Sequence, residues 1–165
     1  MKTVASESLW FLETTQDDVR ALPLVDELSR EYDERYEPND GVPSSFELQR
    51  YPASQFTPAE GGLFVLLLDG ADTVAGGAYK RIDDATVEIK RVWTSSAHRR
   101  HGYAKRVMDE LENRAKAAGY TRSVLTTGAR QPEAVALYLA IGYEPLFDLD
   151  GDYEEISYLE FAKPL

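Results

Sequence analysis

A chain of 165 residues that is 43% hydrophobic has apolar material for one sizeable core, and a formal net charge of −11 works against binding a polyanion or an anionic membrane. With no cysteine and two histidines, disulfides, cysteine nucleophiles and thiolate metal sites are excluded, and a histidine metal cluster has too few ligands. No apolar run reaches membrane-spanning length and the N-terminus lacks a signal-peptide core, so one cytoplasmic domain over residues 1–165 is expected, with no membrane or nucleic-acid partner and no metal.

In chain order, residues 8–13, with Leu9, Trp10, Phe11 and Leu12, read as a strand, and residues 15–18 supply acceptor side chains that suit a helix start. Leu22, Val25, Leu28 and Tyr32 recur at helical spacing, with Pro23 in the first turn or at a kink. Periodicity is lost over residues 36–58 among prolines and scattered aromatics, and so long an irregular stretch inside a compact domain is usually functional or mobile. Residues 63–68, bounded by Gly61-Gly62 and Asp69-Gly70, predict a buried strand in a hairpin with residues 73–82. Asp83-Asp84 then turns the chain into a third strand over 86–94.

From Gly102 the period lengthens: Ala104, Val107, Met108, Leu111, Ala115 and Ala118 form one helical stripe, closed by Gly119. A short strand over 123–127 completes a crossover, so the sheet is expected to be mixed. Pro132 opens a further helix that Gly142 closes, and residues 143–147 and 155–161 read as two last strands around a turn at 148–152. Asp148, Asp150 and Asp152 have part of a calcium-loop spacing without its remaining ligands, and a hairpin turn accounts for them better.

The turn between the third strand and the long helix carries Arg99, Arg100, His101, Gly102, Tyr103, Ala104 and Lys105. A strand that enters a helix through such a turn aims several backbone N–H groups at one point, backed by the positive end of the helix dipole, and an anion fits there. Gly102 permits close backbone approach, Ala104 keeps the first turn slim, and the basic side chains add charge. A solvated basic face is the plainer account of the same run. The glycine pattern fits neither a Walker loop nor a dinucleotide fingerprint. It resembles the Gln/Arg-x-x-Gly-x-Gly/Ala motif of the GNAT N-acetyltransferase superfamily, matched by Arg99, Gly102 and Ala104. Residues 87–94 look like that family's fourth strand, and Gln131 to Tyr138, followed by Ile141, Gly142 and Tyr143, look like its last helix and strand. The resemblance is specific from about Val87 to Phe147.

What the resemblance implies is an α/β fold of the α+β type: a mixed, mostly antiparallel sheet of six to seven strands flanked by helices, with one strand pair splayed apart for acetyl-CoA. It further implies an N-acetyltransferase that moves an acetyl group to a primary amine of a small molecule, an amino acid derivative or a protein by direct attack in a ternary complex. Val92, Trp93 and Thr94 would hold the pantetheine arm, residues 99–105 the pyrophosphate, and Gln131, where the family often has Asn, the CoA arm. Tyr138 matches the position of the thiolate's proton donor, although its spacing with Ala134, Leu137 and Ile141 also suits a core aromatic. Glu88 matches a general base, and an ion pair involving Lys90 is an equally weighted reading; Thr126 and Thr127 cannot serve as bases, and a water relay is the fallback. His98 and His101 read as solvated loop residues. Tyr32, Tyr36 and Phe147 fall where relatives grip the acceptor, beside acidic residues that suit a cationic amine. A homodimer is compatible with the resemblance, and a non-catalytic acyl-CoA-binding module on the same fold is the alternative to an enzyme.

Overall fold

The computed structural model describes residues 8–36, 48 and 51–165. Seven strands form one sheet: β1 (Leu9–Glu13), β2 (Leu63–Asp69), β3 (Asp72–Arg81), β4 (Thr86–Thr94), β5 (Arg122–Gly128), β6 (Glu144–Pro145) and β7 (Tyr158–Pro164), in the order β1-β2-β3-β4-β5-β7-β6. Among the described residues four helices accompany it: α1 (Leu22–Arg35), α2 (Tyr103–Ala117), α3 (Pro132–Ala140) and the single turn α4 (Tyr153–Ile156). Every strand pair is antiparallel except β4 with β5, as a strand–helix–strand crossover requires.

The apolar run of β2 is buried on both faces, and alternation divides it between two cores. Leu63, Val65 and Leu67 join Val107, Met108, Leu111 and Ala115 of α2 with Val135 and Tyr138 of α3. Phe64, Leu66 and Leu68 join Leu24 and Leu28 of α1 with Phe56 and Trp93. Both helices lie close on β3 because it has no side chain at two successive positions: a Cβ on Gly76 would stand 2.8 Å from Leu24, and one on Gly77 2.8 Å from Val107. Expected and observed elements agree closely through α3, with Pro23 in the first turn of α1 and Gly119 just past the end of α2.

The last hairpin departs from expectation. The strand expected over 143–147 keeps only Glu144 and Pro145 in the sheet, and the one expected over 155–161 begins at Tyr158. The Asp152 carboxylate accepts from the N–H groups of Glu154 and Glu155 and so caps α4, which takes Glu155 and Ile156, the first two residues of the expected strand. Of the irregular stretch, Ala53–Phe56 and Pro58–Glu60 form short 3-10 turns, while residues 37–47 and 49–50 lie outside the described residues.

Candidate active site

β4 and β5 pair only from Thr86 to Glu88 against Arg122 to Val124. Beyond that point each remains bonded to its outer neighbour, β4 to β3 and β5 to β7, and the two part. The gap opens a cleft of about 1600 Å³, larger than the roughly 300–1,000 Å³ of common small-ligand pockets and so spacious enough for two reactants. Of the residues expected at the site, Tyr32, Tyr36, Glu88, Val92, Trp93, Thr94, Arg99, Arg100, Gly102, Tyr103, Ala104, Lys105, Gln131 and Tyr138 all line it. Two do not. Phe147, expected at the acceptor, packs edge-on against Phe161 at 5.3 Å and Tyr153 at 5.6 Å on the β7 core, and Tyr158, Ser157 and Glu154 line that side of the cleft instead. His101, expected among the cofactor residues, bonds through Nδ1 to the His98 carbonyl at 2.7 Å and stacks on Tyr103 at 5.3 Å.

At one end of the cleft the turn before α2 is shaped for an anion. Arg100 and Gly102 both have left-handed backbones, with φ of 68° and 76°, which curls successive N–H groups inward. Gly102 is the N-cap of α2 and no side chain satisfies the first turn. The first amide of this turn with a backbone acceptor is that of Arg106, donating to Gly102 at 3.2 Å, so the amides ahead of it are left to a ligand. Arg99 is tied to Glu31 of α1 at 2.7 Å, and both line the cleft. Where β4 ends, Glu27 of α1 accepts from Trp93 Nε1 at 3.0 Å and from the Ser96 N–H and hydroxyl at 2.8 Å each. Burial alone would raise the Glu27 pKa, but the Ser96 and Trp93 hydrogen bonds outweigh it and hold the carboxyl below its ordinary value. The neighbouring Thr94 lines the cleft, and its Oγ1 is buried without a hydrogen bond among the described residues.

Two candidate catalytic groups line the cleft from opposite faces of the sheet. Tyr138 belongs to the α2 and α3 core, 5.9 Å from the Tyr143 ring and 5.6 Å from Phe161. Burial, and after it the nearby Tyr32, push its phenol well above the ordinary value of 10.0, so it is protonated at any physiological pH. Glu88 alternates with the α2-facing Val87 and Ile89 and therefore points to the α1 side. Its partner is the cross-strand Lys80, at 3.6 Å, rather than the expected Lys90. Both side chains of that pair are less than one-fifth exposed, so it is not a solvated surface bridge. The Lys80 and Lys90 ammonium groups lie 4.7 and 5.1 Å from the centre of the Tyr51 ring, which lines the cleft beside them.

Gln131 serves the end of β5. Its Oε1 accepts from Thr127 Oγ1 at 3.0 Å, the Gly128 N–H at 3.1 Å and Tyr36 Oη at 3.4 Å. Tyr36 Oη in turn accepts from the Arg130 N–H at 3.2 Å. Arg130 forks onto Glu154 and donates to the Arg35 carbonyl, while Arg35 pairs with Glu133. The C-terminal end of α1, the loop before α3 and the turn before β7 are thereby joined across one mouth of the cleft. Arg130, Glu154 and Arg35 gave no signal in the sequence, because they are brought together only by the sheet order.

The model of the acetyltransferase (GNAT) family matches residues 22–143, about three-quarters of the chain. The uncharacterised N-acetyltransferase YsnE of Bacillus subtilis is 39% identical over 87 residues, which cover 49% of this chain and 58% of that relative, little more than half its length. Among solved structures, the PaiA N-acetyltransferase of Thermoplasma acidophilum in complex with coenzyme A superposes with a TM-score of 0.73, at 16% identity over 96% of this chain and 99% of that one. YncA of Salmonella typhimurium with its cofactor acetyl-CoA gives a TM-score of 0.66, at 15% identity over 96% and 94%.

Proposed function

Because the chain belongs to the acetyltransferase (GNAT) family, we propose that it transfers the acetyl group of acetyl-CoA to a primary amine by direct attack, with both reactants held in the cleft between β4 and β5. The observation that carries this reading is that Tyr138 and Glu88 enter one cleft from opposite faces of the sheet, Tyr138 as a phenol kept neutral by burial and Glu88 as a carboxylate. The acetyl thioester supplies the electrophilic carbon. The amides of Tyr103, Ala104 and Lys105 hold the pyrophosphate, and the exposed edge of β4 from Val92 to Thr94 bonds the pantetheine arm as an added strand. The Val92 N–H polarises the thioester carbonyl and carries the oxyanion that forms there.

Glu88 takes the proton of the incoming ammonium group, directly or through a water, using the oxygen that Lys80 leaves free. The neutral amine then attacks the carbonyl carbon, the C–S bond breaks, and the Tyr138 hydroxyl donates its proton to the departing thiolate. The attacking nitrogen sheds its second proton as the amide forms, and that proton returns through water in the cleft to the Tyr138 oxygen, while the proton on Glu88 passes to solvent, so the products are an acetylated amine and free CoA. Tyr32, Tyr36 and Tyr51 give the acceptor side an aromatic wall that favours an amine on an apolar or aromatic skeleton, free or at the end of a peptide.

A panel of small amines, amino acid derivatives and peptide amino termini, assayed for thiol release from acetyl-CoA, tests this directly. One or more should support release well above background hydrolysis, and Glu88→Gln should slow that release by about 10²-fold or more. Tight acetyl-CoA binding with no release from any amine would identify a binding module in place of an enzyme.

A further inference from the structure

The Tyr138 hydroxyl makes no hydrogen bond among the described residues, so the place of this phenol in the cleft is decided at its backbone end. Tyr138 is the third residue from the end of α3, and the helix closes on it. The Tyr143 N–H donates to the Tyr138 carbonyl at 3.0 Å and the Gly142 N–H to the Leu139 carbonyl at 3.3 Å, with Gly142 left-handed at a φ of 96° and the Tyr143 ring 5.9 Å from that of Tyr138. This is the two-bond glycine closure of a helix, completed by contact between the side chains on either side of the turn. Tyr143, 3% exposed, is held in its turn: its hydroxyl shares a 2.7 Å hydrogen bond with the hydroxyl of the fully buried Ser123. Ser123 stands opposite Val87 in the short stretch where β4 and β5 still pair, one residue before the pairing of Glu88, and opposite Lys163 on β7. Lys163 donates to Glu112 Oε1 of α2 at 2.8 Å and to the Ile141 carbonyl at the end of α3 at 2.9 Å, and its ammonium lies 5.6 Å from the centre of the Tyr143 ring. Glu112 is 8% exposed, and its Oε2 is buried with no hydrogen bond among the described residues.

We infer that Tyr143 and Lys163 are positioning residues for proton donation by Tyr138: with Ser123 and Glu112 they pin the closing turn of α3 to the closed end of the strand pair, and so fix the donor relative to the strand that carries Glu88. That Tyr138 is a donor rests on the acetyl-transfer reading. The energetic cost of the knot points the same way. An ion pair this far from water, with one carboxylate oxygen unsatisfied, is held at a loss that an apolar pair of similar size would avoid. What the polar set adds is direction, because Lys163 reaches Glu112 and the Ile141 carbonyl together only when the end of α3 lies in one place between α2 and β7. Apolar contacts alone would hold the helix without fixing its position so narrowly, and a shift of about 1 Å at a reacting group can cost about 10²-fold in rate.

Two variants loosen the knot without leaving a charge buried alone. Tyr143→Phe removes one oxygen, and Glu112→Met together with Lys163→Met replaces the ion pair by apolar chains of similar length. Each is made in the parent and again in the Tyr138→Phe background, and each is followed by a melting curve, acetyl-CoA calorimetry, deuterium uptake of the peptide spanning residues 138–143, and steady-state kinetics with the best amine found. In the parent, both should leave acetyl-CoA affinity and the amine KM within about twofold, speed exchange of that peptide about tenfold and lower kcat by about 10- to 10²-fold. In the Tyr138→Phe background the same changes should lower kcat by no more than about twofold further, since a misplaced ring with no proton to give loses nothing more. Tyr143→Phe carries the test by itself if the melting curve shows the paired methionine variant unfolded. An equal loss of kcat in both backgrounds would overturn the proposal, as would unchanged exchange, or a loss of kcat matched by an equal loss of acetyl-CoA affinity. Should no amine be acetylated, faster exchange with intact acetyl-CoA binding still supports the pinning of α3 and unchanged exchange still overturns it, while the missing turnover counts against the transfer reading alone.

Discussion

Tyr138→Phe removes one oxygen from a position where little else depends on it. The hydroxyl has no hydrogen-bond partner among the described residues, and the ring contacts with Tyr143 and Phe161 survive the change. Stability should therefore stay within about 0.5 kcal/mol of the parent, a shift of no more than about 2 °C in Tm for a chain of this size. Acetyl-CoA affinity should hold within about twofold, since the motif at Arg99 to Lys105 is untouched. Turnover should fall by about 10²- to 10⁴-fold, or about 3 to 5 kcal/mol of transition-state stabilisation, because the thiolate must then leave without a positioned donor. Burial first, and Tyr32 second, raise the folded pKa of this phenol above 10.0. The parent should accordingly show no loss of rate from Tyr138 below about pH 10. Thiol release followed with a chromogenic disulfide, beside calorimetry and a melting curve, gives all three quantities. A kcat within about threefold of the parent would refute the role of Tyr138 as donor, and so would a loss of kcat matched by an equal loss of acetyl-CoA affinity.

Gly128→Ala places a Cβ 1.9 Å from Tyr36 Oη; the tyrosine must move, at a cost of about 1–3 kcal/mol in urea unfolding, and the double variant with Tyr36→Ala should show much less than the sum of the single losses. Glu27 has a folded pKa below its ordinary 4.5, so its stabilising effect is complete above the unfolded value and disappears as pH falls through the folded one. Glu27→Gln should thus lower unfolding free energy by about 1–2 kcal/mol at neutral pH, with the gap closing as the pH falls below the ordinary 4.5 of this carboxyl and through its lower folded value. The Cβ of Gly102→Val meets no atom within 4 Å, but the residue must hold a φ of 76°; it should cost about 1–2 kcal/mol of stability and, by covering the α2 amides, about tenfold or more in acetyl-CoA affinity by calorimetry.

Much of this architecture is legible in the chain because it is local. The β2 to β4 meander follows from apolar runs bounded by Asp-Gly and Asp-Asp turns, and the ends of those strands fall within a residue or so of expectation. Arg99, Gly102, Ala104, Gln131 and Tyr138 come from local motifs too, and all of them line the cleft. Contacts between distant segments are another matter. That Glu88 pairs with Lys80 rather than Lys90 depends on strand register, and Lys80 is eight residues away in sequence. Phe147 could not be sorted between core and cleft by spacing, since an aromatic at a strand end serves either; the capped turn at Asp152 decides it by bringing Tyr153 against the ring.

The bulge in β4, where Arg91 and Val92 together face Gly77, shows why even a well-read strand can mislead. Strict alternation over Thr86 to Thr94 would set Val87, Ile89, Arg91 and Trp93 on one face. Val87 and Ile89 do face α2, yet Trp93 lies in the opposite core beneath α1. One inserted residue reverses the parity of everything after it. The reversal is what puts Trp93 within reach of Glu27, turns the Arg91 guanidinium towards Gln16 and Leu48, and leaves the edge from Val92 to Thr94 facing the gap that β5 has vacated. A trace of it exists in the sequence, since a charged residue interrupts an otherwise apolar set of odd positions opposite a pair of glycines. Arginine at that position is costly twice over, once for its backbone, held at a φ of 64°, and once for its buried charge. Two such costs persist at one residue only where the surroundings hold it, and here Gln16, the Leu48 carbonyl and the Phe56 ring do so.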